Sequence, residues 1–170
     1  MSFDYAFPLA SSNQGAILEA VQARIQGLTL KHIPPERVVI RATSWDANLL
    51  YPYVIVRPAP EILNPNDASN EYNTCTYATI VSLVAANVPE AGGPNTLFGL
   101  PLFWREQVRL AFQNKSHNVW NSTILPLPGS RINRSYVMDG EPFIDEAKRR
   151  GFDAQYLGVR FHVTEPGGQT

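Results

Sequence analysis

Apolar residues in this chain fall into short, separated patterns, and the period of each names an element. Around residues 13–27, Ile17, Leu18, Val21, Ile25 and Leu28 recur at spacings of three and four, with Glu19, Gln22, Arg24 and Gln26 over much of the other side. That period predicts an amphipathic helix laid on a sheet. Ser11, Ser12 or Asn13 can cap its start, and Gly27 is placed to stop it. Pro34-Pro35 breaks the chain, and Val38-Val39-Ile40 reads as a short strand. The run over 53–57 is apolar on both faces at its centre, which predicts an interior strand covered on two sides. A longer strand is expected over 74–86. There Tyr77, Val81 and Leu83 alternate with Thr76, Ala78 and Ser82, while Ile80 and Val84 fall with the second set, so part of the second face is also expected to be covered.

Between these two strands the residues from Pro58 to Glu71 read as neither strand nor helix. Hairpins normally close with a few residues, so a gap of this length predicts a projecting loop over 58–73, an arm built for docking. Gly92-Gly93-Pro94-Asn95 is a turn cluster leading to a second helix, expected from about Leu100 or Pro101 to Gln113. Its stripe of Trp104, Val108, Ala111 and Phe112 reads as a core face rather than a ligand box.

Further along, Ile124-Leu125-Pro126-Leu127-Pro128 and Ser135-Tyr136-Val137-Met138 suggest two short strands around a Pro-Gly turn. A short helix is expected over 142–150. Pro142 suits its first turn, Asp145 and Glu146 lie toward its positive end, Lys148-Arg149-Arg150 at its negative end, and Gly151 at its stop. The last strand alternates strictly: Leu157, Val159, Phe161 and Val163 point one way, and Gly158, Arg160, His162 and Thr164 the other. Residues 166–170 read as a loose tail. The expected fold is α+β, a mainly antiparallel sheet with two main helices packed on one side and long projecting loops. The 170 residues suit one domain, with an ordered core of about 13–165.

Composition supports a folded chain, with 44% hydrophobic and 17% charged residues, and its 14 prolines favour stiff connections over a helical bundle. A net charge of −1 and the lack of a basic stripe along the sequence speak against a general nucleic-acid binder. The amino end lacks the basic and apolar regions of a signal peptide, and no apolar segment approaches the ~20 residues that cross a bilayer. Cys75 is the one cysteine, so there is no internal disulfide and no thiolate zinc cluster. These features fit a chain made in a reducing cytoplasm, with no membrane partner. The sequons at Asn114, Asn121 and Asn133 then read as chance matches.

Candidate chemistry is sparse. His32, His117 and His162 are scattered, with no ligand partner at helical or hairpin spacing. Cys75 has no activating neighbour in sequence. Gly92-Gly93 is not followed by the Lys-Ser or Lys-Thr of a phosphate loop, and there is no G-x-S-x-G element. Glu146-Ala147-Lys148 matches the carboxylate-x-lysine piece of metal-dependent nucleases, but falls in the expected short helix instead of on a strand. Trp45, Trp104, Trp120 and the seven tyrosines lack flanking basic residues, so packing explains them better than base stacking. No catalytic, cofactor-binding or metal-binding residue is expected. An enzyme reading would have to assemble a site from scattered acids such as Asp46, Glu61, Asp139 and Asp153.

The layout resembles the tail-terminator and related head–tail neck proteins of long-tailed bacteriophages. The resemblance is carried by the amino-terminal helix ending near Gly27, the strands Tyr53-Val54-Ile55-Val56-Arg57-Pro58 and Tyr77 to Val84, and the helix through Trp104-Arg105-Glu106-Gln107-Val108. The closing segment, Phe152 to Val163, is the most family-like. The order of elements covers most of 13–165. The resemblance implies a virion protein of the tail or neck that forms a ring, commonly a hexamer. Such a ring caps the tail tube, meets the head connector or stopper protein, and lets DNA pass its lumen without specific binding. A neck adaptor, stopper or tail-completion subunit is the neighbouring alternative. The family has no catalytic residues to transfer. Its contacts come from strands and projecting loops, here 58–73, 86–96 and 126–140. The candidate interface residues are Glu61, Asn66, Asp67 and Glu71 on the arm, with Arg160 and His162 on the last strand.

Overall fold

In a computed structural model of the chain, the described residues are 9–42, 49–63, 72–86, 94–138 and 152–167. They form a six-stranded sheet under two helices. The strands are β1 (Val38–Ile40), β2 (Tyr53–Leu63), β3 (Tyr72–Ala86), β4 (Lys115–Ser116), β5 (Arg131–Met138) and β6 (Phe152–Pro166). Their order across the sheet is β1-β2-β3-β6-β5-β4. β1 runs parallel to β2 and every other pair is antiparallel. The α+β reading therefore holds, with β3 and β6 as the long central pair.

Helix α1 (Asn13–Gln26) is capped as expected, the Ser12 hydroxyl accepting from the Gly15 N–H at 3.1 Å. Gly15 has a second role, because a Cβ there would stand 1.6 Å from the Leu9 carbonyl oxygen. Only glycine lets the preceding turn, Leu9–Ser11, lie this close. At the other end Gly27 is right-handed (φ −70°), and the left-handed residue is Thr29 (φ 48°). Gly27 thus ends the helix without using the backbone freedom that suggested it. Helix α2 (Pro94–Phe112) starts earlier than the sequence suggested. The first-turn rule for proline applies to Pro94, and the helix runs on through Pro101 despite the missing N–H there. It ends with the Gln113 N–H on the Arg109 carbonyl (2.8 Å) and Asn114 left-handed at φ 51°.

Both helices lie on one face. α1 covers β1, β2 and β3, and α2 covers β3, β6 and β5. Ile17, Val21 and Ile25 from α1 and Trp104, Val108 and Phe112 from α2 meet Val54, Val56, Val81 and Leu83 in one core. Leu157, Val159, Phe161 and Val163, the apolar half of the β6 alternation, complete it fully buried. Each such side chain stabilises the fold by roughly 1.5–3 kcal/mol. Arg24 links the helices: its Nε donates to the Ala111 carbonyl at 2.8 Å, and its guanidinium lies 5.2 Å from the Trp120 ring centroid. Ser135 Oγ, buried beside this core, donates to the Phe112 carbonyl at 2.9 Å.

The double coverage expected for 53–57 is present. Val54 and Val56 face the helices, while Tyr53 and Ile55 are buried on the other face with Val84, beside Val39, Leu49 and Tyr51.

Three expectations need correction. Residues 58–63 and 72–73, read as part of the projecting loop 58–73, are paired strand: Pro58 opposes Thr79, Leu63 opposes Cys75, and Asn73 opposes Glu165. β1 stops beside Val56, so β2 becomes an edge strand just where Pro58 and Pro60 occur, the position in a sheet that tolerates proline. A register shift between Ala59 and Ile62 absorbs one extra residue as a bulge. Only 64–71 of that loop lies outside the described residues. Second, 124–128 is not a strand, since Pro126 and Pro128 lack the N–H groups a ladder needs; the segment turns through Gly129 (φ 81°) into β5. A one-turn helix, α3 (His117–Trp120), stands before it. Third, the tail expected to be loose from 166 is held at its start, where Pro166 pairs with Tyr72. The expected helix over 142–150 lies outside the described residues.

Candidate interaction surfaces

Of the candidate contact residues, Arg160 and His162 are brought together on the face of β6 turned away from the helices. Glu61 lies in β2 at the bulge. Asn66, Asp67 and Glu71 lie outside the described residues, as do Asp46, Asp139 and Glu146-Ala147-Lys148. Asp153 is in β6, opposite Ala85.

The strand registers show what surrounds Arg160 and His162. One row across the sheet reads Arg57, Ile80, Gly158, Met138, and the next reads Ala59, Ala78, Arg160, Tyr136. The third places Thr76, His162 and Arg134 side by side, and the fourth Thr74, Thr164 and Arg131. Four arginines and a histidine from β2, β5 and β6 thus share one face. The His162 and Tyr136 rings are stacked, 5.1 Å apart and 23° from parallel, and the Arg134 guanidinium lies 5.9 Å from the Tyr136 ring centroid. Arg134 Nη2 is 3.3 Å from His162 Nε2, and Thr76 Oγ1 is 3.3 Å from His162 Nδ1. Arginine can only donate, so Nε2 accepts and the ring proton sits on Nδ1, donated to Thr76. This basic face has no local signature in the chain, because its members are dispersed and meet only through strand register.

The helical layer carries a different kind of surface. On the side of α2 away from the core, Leu102 (47% exposed), Phe103 (52%) and Leu110 (55%) form an apolar ridge. Arg109 and Glu106 form an ion pair beside it, N to O 2.6 Å, and the hydrogen bonds from Arg109 hold the Glu106 carboxyl below its usual pKa. A helix apolar on its outer side as well as its inner one signals a partner. That signal was present in the sequence but was masked by the stronger Trp104 stripe. A groove of about 450 Å³ runs between α1 and 119–124, lined by Ala16, Ala20, Val119 and Ile124 together with the charged Glu19 and Arg24. Ile124 stands 86% exposed at its rim, and the buried Trp120 Nε1 has no hydrogen-bond partner among the described residues.

The remaining polar cluster is structural. Glu165 accepts from the Tyr77 hydroxyl, from Asn13 Nδ2 (2.6 Å) and from Cys75 Sγ (3.3 Å). Cys75 is buried there, in keeping with its reading as a packed thiol. Among the described residues, no group of three or more His, Cys, Asp or Glu side chains could hold a metal ion. No helix among them is long and apolar enough to cross a membrane. No family model and no curated protein matches the chain.

Proposed function

We propose that this chain is a structural subunit of a bacteriophage virion, a tail terminator that closes into a ring, commonly of six copies. In that role it caps the tail tube, meets the head connector and surrounds the path of the DNA. The observation that carries this reading is a pair of unlike surfaces on the helical layer, an apolar ridge and a groove of mixed lining. The α2 ridge of Leu102, Phe103 and Leu110 is convex, and the α1–α3 groove with Ile124 at its rim is concave. A ring needs a heterologous interface, in which two different patches of each subunit meet, and a ridge with a separate groove meets that requirement. The long β3–β6 pair beneath gives these surfaces a rigid base, so little ordering accompanies association. Negative-stain images of the purified chain test the proposal. Closed rings with a central lumen are expected; open filaments or dispersed single subunits would refute it.

A further inference from the structure

We infer that the half-open face of the sheet, centred on Arg134, Arg160 and His162, binds the phosphate backbone of duplex DNA independently of base sequence. The inference rests on charge that the fold concentrates without a neutralising carboxylate among the described residues. Arg57, Arg131, Arg134 and Arg160 occupy four successive rows of one face. No carboxylate among the described side chains shares that face: Glu165 points to the helix side, where it meets Tyr77 and Asn13, and Glu19 and Glu106 belong to the helices. Arg57 Nε is buried without a hydrogen-bond partner among the described residues, and Arg160 makes no ion pair among them. Successive side chains on one face of a strand stand about 6.7 Å apart and neighbouring strands about 4.8 Å, so the four charges spread over roughly 20 Å along the strands. Charges of one sign held together in this way repel; the phosphates of a polyanion neutralise them, and the counterions released from the polyanion add to the driving force.

The geometry favours a duplex backbone over the other polyanions. Binders of single strands present open aromatic faces to the bases. Here the Tyr136 and His162 rings lie against each other with Arg134 beside them, so their π-faces are already in use. An acidic protein partner would be expected to find an apolar anchor at the centre of the patch. This centre instead carries Ala78, Thr76 and the arginines. The stacking also sets Arg134 in place, and the His162 bridge to Thr76 fixes the ring to β3, so the charges are pre-positioned.

The inference does not depend on ring formation, and its failure is separable from that of the assembly reading. The test is fluorescence anisotropy of the full chain with a labelled, mixed-sequence duplex of about 30 base pairs across a salt series. Four arginines engaging four phosphates give a slope of about −3.6 in log K against log salt, so affinity falls about 150-fold between about 50 and 200 mM salt. Arg134→Glu with Arg160→Glu abolishes binding, and Arg134→Lys with Arg160→Lys retains most of it. Lys31→Glu, on an exposed turn at the helical side, leaves binding unchanged. Arg160→Gln alone serves if the double reversal does not fold, and it lowers the slope by about one. The inference is overturned by no binding at the lowest salt, by equal binding of the charge-reversed chain, or by tighter binding of poly-glutamate than of duplex.

Discussion

Glu165 shows what one residue can do to hold layers together. It projects from the end of β6 toward the helices and receives hydrogen bonds from β3, through Tyr77 and Cys75, and from the first turn of α1, through Asn13. Asn13 passes the connection on, donating to Ser130 Oγ at 3.2 Å and accepting from the Leu127 N–H at 3.3 Å. Removing the carboxylate takes away the acceptor that these three hydrogen bonds share in a half-buried place, at a cost of about 1–3 kcal/mol. Glu165→Ala is therefore expected to lower the melting temperature by ~2–4 °C for each kcal/mol lost, measured by circular dichroism, with Glu165→Gln less affected. An unchanged melt for Glu165→Ala would show that the cluster contributes nothing. None of this was legible in the sequence, where Glu165 borders an apparently loose tail and its partners lie up to 152 positions away.

Among the elements, those with a strong period were legible and those shaped by proline were not. The spacing of Ile17, Val21 and Ile25 and the alternation from Leu157 to Val163 are local properties, and the burial of each followed. Proline misled in three places, because its effect depends on whether an N–H is needed at its position, and in a sheet only the neighbouring strand decides that. Pro58 and Pro60 sit in an edge strand, Pro101 sits inside α2, and Pro126 and Pro128 keep 124–128 out of the sheet. The α2 ridge yields a prediction at this scale. Phe103 and Leu110 are half exposed and lie outside the core cluster, so Phe103→Glu or Leu110→Glu changes stability by no more than about 0.5 kcal/mol. The same substitutions place a charge in the proposed contact and should dissociate the assembly, read as a shift to the single-chain elution volume. A variant that melts normally and still assembles would remove α2 from the interface.

For the molecule as a whole, the two-layer α+β architecture could be read from element order, whereas its surfaces could not. Arg57 and Arg160 become neighbours in one basic face only because β3 pairs with β2 on one side and with β6 on the other in a fixed register. Arg160 and His162 lie half-buried on the face of β6 turned from the helices, while Arg134 and Tyr136, which stand beside them, lacked any local signal. An apolar ridge and a groove of mixed lining on the helical layer, and an arginine face on the reverse of the sheet, divide the molecule by chemistry. The first suits contact between subunits and the second contact with a passing polyanion.

If copies of this chain close on one another, their mass in solution reports it. Sedimentation equilibrium of the full chain, 18.9 kDa per copy, should give about 113 kDa for a closed six-membered ring, without growth as concentration rises. A mass that stays at 18.9 kDa up to high concentration would rule out a ring.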